Sequence, residues 1–203
     1  MPITNGYATL AQVKAGLRIP GNDTVDDTLL EMATESASRL IDSYLGRRVY
    51  QSGTITRSYA PEFTNVVQTD DIAGTAVTIT SSSGADGVYD ITFKASDFQL
   101  EPLNGIADGV TMPFTRIRAV GDYAFVTAYG EATLRVQGVF GFPAVPTEIT
   151  QATIIQASRI FKRLDSPLGV MGFGDLGVIR VGAKLDPDVA QLVHPFKKMR
   201  GTG

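Results

Sequence analysis

Residues 26–48 read DDTLLEMATESASRLIDSYLGRR, and this stretch predicts a long amphipathic helix. Its apolar side chains recur at helical spacing: Ala33, Ala37, Leu40, Ile41 and Tyr44. Asp26 and Asp27 place negative charge at the positive end of the helix dipole, and we expect Thr24 to be the N-cap. Gly46 predicts the end of the helix, because glycine readily adopts the left-handed conformation that closes a last turn.

A shorter helix is predicted over residues 9–17, with Leu10, Val13 and Leu17 on one side. The residues that follow, Ile19-Pro20-Gly21-Asn22, are typical of a turn. Two helices joined by a tight turn form a hairpin, and its apolar faces need a partner element.

The pattern alternates between residues 51 and 143, which is typical of β-strands. Candidate strands are 54–59, 63–69, 76–80, 88–93, 98–100, 114–120 and 133–140. Clusters of Gly, Pro, Asn, Asp and Ser separate them, which predicts an antiparallel sheet or a small sandwich. The clearest hairpin turn is at 81–87, and we expect the loop 102–113 to be exposed and mobile.

A third helix is predicted over residues 147–164, with Thr147 as its N-cap. Its apolar face, which we expect to pack on the N-terminal hairpin, consists of Ile154, Ala157, Phe161 and Leu164. After a glycine-rich stretch, a short helix is predicted from Pro187, capped by Asp186 and ended by Pro195.

The glycine-rich stretch, residues 168–182, is the most unusual local feature. Its glycine spacing matches neither a dinucleotide-binding turn nor a phosphate-binding loop. It combines backbone freedom with apolar side chains: Met171, Phe173, Leu176, Val178 and Ile179. Such a segment can become ordered against another chain, for example by adding a strand to a neighbour's sheet, or can fold over the core of its own subunit.

The composition limits the class of protein. At 203 residues the chain is long enough for one well-packed domain with a substantial insertion. No apolar run reaches the length of a membrane span, and residues 1–5 carry no signal-peptide pattern, so we expect a soluble, unsecreted protein. The absence of cysteine excludes disulfides, thiolate metal sites and cysteine nucleophiles.

The net charge of −3 conceals an asymmetry between the two parts of the chain. Residues 1–148 carry 17 acidic and 10 basic side chains, net −7, whereas residues 149–203 carry 4 acidic and 8 basic ones, net +4. Opposite charges can steer head-to-tail association of subunits and set its register. An ordinary solvated surface is the alternative interpretation.

Catalytic candidates are weak, and we predict no enzyme activity, no cofactor and no metal site. His194 is the only histidine, so a histidine metal site would lack companion ligands. The adjacent pairs Asp26-Asp27 and Asp70-Asp71 suit a helix start and the two faces of a strand, not a catalytic carboxylate pair. Four further aspartates, whose spacing indicates turns and not a calcium loop, are Asp86, Asp90, Asp97 and Asp108.

The helical segments resemble the head–tail connector, or adaptor, family of long-tailed bacteriophages. The N-terminal resemblance rests on Leu10, Val13, Leu17, Asp26, Asp27, Leu29, Leu30, Ala37, Ser38, Ile41, Asp42, Tyr44, Leu45, Gly46 and Arg47. The second matching stretch is residues 136–146, VQGVFGFPAVP, which leads into the third helix and then into residues 163–167, RLDSP. The resemblance covers about half of the chain. The large β region departs from compact members of the family, which are nearly all helical.

The resemblance and the residue patterns together predict an α+β fold. Residues 1–50 form a helical hairpin, 51–145 a β-rich insertion, 146–166 a helix that packs on the hairpin into a small bundle, and 167–203 an extended, flexible C-terminal arm with a short helix. The family resemblance implies a dodecameric ring below the portal at the capsid vertex. The resemblance also implies that DNA passes through the lumen as cargo. An acidic chain without basic–aromatic interleaving is compatible with this, because it does not grip phosphate.

The resemblance also implies the partners: other copies of the chain, the portal protein and the next neck or tail-completion protein, with no membrane. We expect synthesis in the host cytoplasm and residence in the virion neck. Candidate contacts with neighbouring subunits or partners are Arg39, Arg47, Arg48, Met171, Phe173, Leu176, Val178, Ile179 and Arg180. Deletion of residues 168–203 is expected to leave a folded but assembly-defective protein.

Two alternatives remain from the sequence. A stopper or terminator ring would share ring assembly but bind a different neighbour. A carbohydrate-binding host-recognition module would expose an aromatic platform. The chain has no tryptophan for such a platform, and its candidate tyrosines are Tyr59, Tyr89, Tyr123 and Tyr129.

Overall fold

The structure is a computed structural model that describes residues 2–107, 109–164, 170–172, 178–180 and 185–198. It is α+β, as the sequence predicts. The chain divides into two compact units, a mainly helical unit of residues 1–48 and 145–203 and a β unit of residues 49–144.

The helical unit begins with a helical hairpin, α1 (Leu10–Leu17) and α2 (Asp27–Leu45). Thr9 caps α1 with a capping box, in which its side chain accepts from the Gln12 amide and the Gln12 side chain accepts from the Thr9 amide. Gly46 ends α2 in the left-handed conformation, at φ 67°, as predicted.

The predicted cap of α2 was wrong. Asp26, not Thr24, occupies the N-cap position, and its side chain makes no capping hydrogen bond. Thr24 lies in the preceding turn, where the Asp23 carboxylate accepts a hydrogen bond from the Val25 amide at 3.2 Å. The start of α2 is instead tied to α1 by Lys14, which is only 4% exposed, pairs with Asp27 and donates to the Asp23 carbonyl at 2.6 Å.

The other helices of this unit are α3 (Thr147–Leu164) and α4 (Pro187–Val193). Thr147 is the first helical residue and not the cap, because the Pro146 carbonyl already accepts from the Thr150 amide at 3.1 Å. Asp186 caps α4 as predicted, accepting from the Asp188 amide at 2.8 Å. A 3₁₀ turn, His194–Phe196, continues beyond α4, so Pro195 does not end the helical segment.

The core of the helical unit lies where α1, α2 and α3 meet. Its buried residues are Ala8, Val13, Leu30, Ala33, Ala37 and Ala157. Small alanine side chains allow the helices to approach closely, and burial of their apolar faces supplies most of the stability of such short helices. The prediction that the third helix packs on the hairpin is therefore confirmed.

The β unit contains two antiparallel sheets in the strand orders β1-β9-β3-β4 and β2-β8-β5, and a small ribbon of β6 and β7. Its strands are β1 (Thr54–Tyr59), β2 (Val66–Ile72), β3 (Thr78–Ser81), β4 (Ile91–Phe93), β5 (Phe98–Glu101), β6 (Ile106–Ala107), β7 (Val110–Thr111), β8 (Phe114–Ala119) and β9 (Leu134–Val139). Buried residues from both sheets form one apolar core, which includes Val67, Ile79, Ile117, Leu134 and Val136.

Some strand boundaries differ from the predicted ones. β2 starts three residues later than predicted. It runs on to Ile72, because pairing with β8 resumes after a bulge and Thr69, Asp71 and Ile72 point into the unit. β4 starts at Ile91, since the side chain of Asp90 is held by the Ser83 amide and hydroxyl in the β3–β4 loop.

The loop 102–113 is more structured than predicted. It contains a 3₁₀ turn, Leu103–Gly105, followed by the β6–β7 ribbon. The ribbon is held in place by a hydrogen bond from the Met112 amide to the Gly105 carbonyl at 2.8 Å. Leu103 and Ile106 are exposed, as expected for this loop.

The two ends of the β unit lie side by side. The Ser52 amide donates to the Phe140 carbonyl at 2.7 Å, and the Phe142 amide donates to the Val49 carbonyl at 3.1 Å. Gly141 permits this approach: at φ 120°, a Cβ there would lie 2.3 Å from the Tyr50 carbonyl oxygen. The insertion therefore enters and leaves through one paired backbone segment.

Candidate interaction surfaces

The residues weighed as catalytic candidates lie in a 3₁₀ turn and in strand β2. His194 is exposed at the start of the 3₁₀ turn. In β2, Asp71 is 6% exposed whereas the Asp70 side chain is 51% exposed, so the two carboxylates face opposite ways, as predicted for strand neighbours. Within the described ranges, no three His, Asp or Glu side chains converge where they could hold a metal ion.

The loop aspartates that the structure describes stabilise turns. Asp86 accepts from the Val88 amide and the Ser82 hydroxyl, and Asp90 accepts from the Ser83 amide and hydroxyl. These hydrogen bonds stabilise the carboxylate form and lower the pKa of Asp86 and of Asp90. Asp97 accepts from the Lys94 amide in the same manner, and Asp108 lies outside the described residues.

The four candidate tyrosines do not share one environment. Tyr59 is half-buried and bonds Asp70; burial first, and then the Asp70 charge, raise the pKa of its hydroxyl above the usual range. Tyr89 donates to the Ala132 carbonyl while Arg135 stacks on its ring at 3.8 Å. Tyr123 is half-exposed and lies beside Phe93, and Tyr129 is fully exposed.

Arg39, a predicted partner contact, lies in a network that attaches the N-terminal segment to α2. It donates to the Asn5 carbonyl at 2.8 Å, pairs with Asp42 at 3.2 Å and lies over the Tyr7 ring. The Tyr7 hydroxyl donates to the same Asp42 carboxylate at 2.5 Å. Glu35 completes the attachment by accepting from the Thr4 and Asn5 amides at 2.6 and 2.9 Å.

Arg47, another predicted contact, lies close to the end of the chain. Its guanidinium is 3.5 Å from the Phe196 carbonyl, and the Lys198 amide donates to the Leu45 carbonyl at 2.9 Å. Residues 185–198 thus pack on the helical unit, with Val189, Val193 and Phe196 buried. The neighbouring Arg48 is exposed.

The glycine-rich segment contains a short antiparallel pair, β10 (Val170–Gly172) and β11 (Val178–Arg180). Met171, Val178, Ile179 and Arg180 belong to these strands, while Phe173 and Leu176 lie outside the described residues. An isolated two-stranded ribbon is marginally stable in water. The role of these six residues of the glycine-rich segment as partner contacts stays a prediction.

The sequence interpretation missed a second apolar stripe on α2, opposite its core-facing side. The stripe, here called the α2 ridge, consists of Leu29, Met32, Ser36 and Leu40 on α2, together with Val25 in the turn before the helix. Its apolar members are substantially exposed, from 37% for Leu40 to 88% for Val25. The spacing of these apolar residues, at three, four or eight positions, could have indicated the stripe in the sequence. It was missed because Leu40 was assigned to the core-facing side of the helix.

An open groove also went unpredicted, because α1 and α3 are far apart in the sequence. This α1–α3 groove is lined by Gln12 and Gly16 of α1 and, on α3, by residues that include Gln151, Ile154, Ile155 and Ser158. Gly16 is required for the close approach of the helices, since a Cβ there would lie 2.7 Å from a methyl group of Ile154. The α2 ridge and the α1–α3 groove are both open to solvent in the part of the helical unit that the structure describes.

None of the helices within the described ranges combines the length and the hydropathy that crossing a bilayer requires. No protein-family model matches the sequence. No curated protein matches it significantly.

Solved structures do match, over nearly the whole chain. A chain in the neck of an empty gene transfer agent (GTA) particle, computed with C6 symmetry, has a TM-score of 0.57 and 16% identity, covering 100% of this chain and 95% of that chain. A chain in the neck of the native particle, computed with C12 symmetry, has a TM-score of 0.53 and 13% identity, with the same coverage. A chain of the native virion has a TM-score of 0.53 and 17% identity, covering 96% of this chain and 91% of that chain. The protein therefore has the fold of a chain found in the neck of gene transfer agent particles.

Proposed function

We propose that this chain is a structural protein of the neck of a tailed-phage-like particle, in which its copies form a ring as a head–tail adaptor. The observation that carries the proposal is the likeness in fold to chains of GTA necks over the full length of the chain, the β unit included. Those necks were computed with C6 and C12 symmetry, which supports a ring whose subunit number is twelve.

The helical unit would form much of the ring, and the β unit would extend it. The β10–β11 ribbon would engage the portal or a neighbouring subunit, because a two-stranded ribbon gains stability when a partner covers it. DNA would cross the lumen as cargo. The β unit carries 10 acidic and 5 basic side chains, net −5, so it would repel phosphate where it faces the lumen.

The structure calls for a narrower change than the deletion of residues 168–203 to test the role of the C-terminal arm. Removing residues 168–203 would also remove α4 and the buried Val189, Val193 and Phe196, so it would damage the fold as well as the proposed contact. A sharper variant replaces residues 170–180 with a Gly/Ser linker of equal length and keeps residues 185–198. A control replaces the exposed loop residues 62–65 of the β unit in the same way.

The experiment uses tagged copies expressed in cells that produce the particles. We expect wild-type and control proteins to be recovered together with portal and neck components. Electron micrographs of the recovered material should show particles that carry a ring. The 170–180 variant should stay folded by circular dichroism and yield few tailed particles. Undiminished tailed particles from this variant would contradict the role of the ribbon. Absence of the wild-type protein from particles would contradict the neck assignment itself.

A further inference from the structure

The α2 ridge gives α2 apolar side chains on two sides. One side packs into the core of the helical unit, with Leu30, Ala37 and Ile41 fully buried. On the ridge, Met32 is 52% exposed and Val25 is 88% exposed. A helix that is apolar on both sides is normally covered on both sides, so the ridge is suited to bind a further element.

The ridge is continuous and regular. Its four helical residues follow one another at intervals of three or four, so they form one stripe. From Leu29 to Leu40 the stripe is about 17 Å long at the helical rise. The small Ser36 in its centre leaves space for a side chain from an opposing helix.

The α1–α3 groove has matching dimensions and chemistry. On α3 its lining extends from Thr147 to Arg159, which is about 18 Å at the helical rise. Ile154 and Ile155 make its centre apolar, while Gln151 and Ser158 flank them with polar groups. An apolar ridge with a small residue at its centre is complementary to a groove of this kind.

The charges of the two surfaces are also complementary. Residues 19–38, which include the first half of the ridge, contain five acidic and no basic side chains, and of the five Asp27 is paired with Lys14 within the subunit. Residues 149–164 contain no acidic side chain and three basic ones. Of these, Arg159 is paired with Asp186 within the subunit, and Lys162 and Arg163 are exposed at the C-terminal end of α3. The acidic end of the ridge is therefore attracted to the basic end of the groove, which requires α2 and α3 to run antiparallel across the contact.

We propose that the α2 ridge of one copy of this chain seats in the α1–α3 groove of the next copy. A closed ring needs two different, mutually complementary surfaces on each subunit, and the helical unit carries both. This inference rests on the proposed function, because it specifies how the subunits of that ring meet. In the antiparallel register Ser36 lies opposite Gln151, Met32 opposite Ile155 and Leu29 opposite Ser158.

The absence of cysteine from the chain makes disulfide trapping a direct test, since only introduced cysteines can react. The test variant is Ser36→Cys with Gln151→Cys, two exposed positions that face each other in the proposed register. It is expressed in particle-producing cells, and the purified particles are oxidised mildly. We expect a ladder of covalent oligomers on non-reducing gels that extends to the subunit number of the ring.

Matched pairs test the register. Ser43→Cys with Lys162→Cys lies on the same faces of α2 and α3, but these positions would be about 27 Å apart in the antiparallel contact, so this pair should give monomer. A ladder from that pair, and none from Ser36 with Gln151, would overturn the proposed orientation. Ser36→Cys alone should stay monomeric, and a dimer that forms from it would indicate a two-fold contact between ridges instead.

A substitution tests the energetics of the same contact. Met32→Asp places an unpaired carboxylate in the apolar centre of the contact, so we expect its incorporation into particles to fall about tenfold or more. Val88→Asp is the control, because Val88 is 61% exposed in the β unit and lies outside the contact. Both variants should keep wild-type circular dichroism, and equal incorporation of the two would overturn the proposal.

The trapping experiment distinguishes a failure of the ridge–groove contact from a failure of the neck assignment. If the protein is absent from purified particles, the neck assignment fails and the ring contact fails with it. If the protein is present but the Ser36–Gln151 pair gives only monomer, the neck assignment stands and the ridge–groove contact is overturned.

Discussion

At the scale of single residues, the network around Asp42 shows how one buried carboxylate attaches a terminal segment. Asp42 is 9% exposed and receives the Tyr7 hydroxyl at 2.5 Å and the Arg39 guanidinium at 3.2 Å. A buried charge is tolerated only when it is paired and hydrogen-bonded. The N-terminal segment therefore has a fixed place along α2 although it forms no regular secondary structure.

Tyr7→Phe removes one hydroxyl from this network and keeps the ring under Arg39. We expect the free energy of unfolding to fall by about 1–3 kcal/mol, because the Asp42 carboxylate loses a hydrogen-bond donor while it stays buried. Urea denaturation followed by circular dichroism measures the change. Tyr129→Phe is the control, since Tyr129 is fully exposed. A Tyr7 variant as stable as the control would show that the hydrogen bond contributes nothing.

Glu101 is a buried carboxylate of the β unit. It lies opposite Arg116 in the β5–β8 register, and Arg118 donates to it at 2.6 Å. This hydrogen bond, opposed by partial burial, lowers the pKa of Glu101, and the charges of both arginines lower it further. Because the folded-state pKa lies below the unfolded value of about 4.3, Glu101 stabilises the fold above that pH, and the contribution is lost as the pH falls through the folded-state pKa.

Glu101→Gln should therefore destabilise the protein in a pH-dependent manner. We expect a loss of about 1–2 kcal/mol at pH 7, since a charge-assisted hydrogen bond becomes a neutral one. The difference between variant and wild type should shrink as the pH falls below about 4. Thermal unfolding at several pH values tests this, with Glu131→Gln as an exposed control. A difference that does not vary with pH would contradict the assignment.

At the scale of elements, the end of the chain shows how a short helix can be stabilised by packing. α4 is too short to be stable alone. It is held by its Asp186 cap, by the ion pair of Arg159 with Asp186 and by burial of its apolar face. Phe196 in the following 3₁₀ turn is 3% exposed and completes that burial.

Phe196→Ala should therefore weaken the helical unit. We expect the free energy of unfolding to fall by about 3 kcal/mol, because the substitution removes a buried aromatic ring and leaves a cavity. Lys197→Ala is a suitable control: it removes only an exposed cation placed 4.9 Å over the Tyr44 ring, which contributes about 1 kcal/mol or less. Chemical denaturation compares the two, and equal stabilities would show that this segment adds nothing to the fold.

At the scale of the whole molecule, the β unit is an insertion between α2 and α3. Its first and last backbone segments are hydrogen-bonded to each other between Val49 and Phe142 and between Ser52 and Phe140. Chain ends that lie side by side are typical of a domain insertion, because the host unit needs only a short connection to close.

Excision of the insertion tests this organisation. Replacement of residues 49–144 by a short Gly/Ser linker should leave a helical protein, because the core residues of the helical unit all come from the remaining segments. Residues 49–144 expressed alone should show β-type circular dichroism and a cooperative thermal transition. An excised protein without helical signal would contradict an independent helical unit.

Much of the fold could be predicted from the sequence, because the signals are local. The bounds of α1 and α3 differ from the predicted ones by one residue at most, and α2 ends at the predicted Gly46, since helical periodicity and a closing glycine act within a few residues. The start of α2 lies two residues beyond the one that the predicted cap implies. β1 agrees residue for residue. The errors concern the ends of elements. Asp26 and not Thr24 is the N-cap of α2, Thr147 is the first residue of α3 and not its cap, and β2 starts later than predicted.

The sequence by itself determined the α+β class, the order of the helices and of the longer strands, and the resemblance to head–tail connectors. Only the tertiary structure decided the strand orders, the position of residues 185–198 on the helical unit and the hydrogen bond of Arg39 to the N-terminal segment of its own subunit. It also decided that the second apolar stripe of α2 stays uncovered and that a groove lies between α1 and α3. The physical reason is range: propensity and capping act between near neighbours in the chain, whereas exposure and pairing depend on segments that meet only after folding.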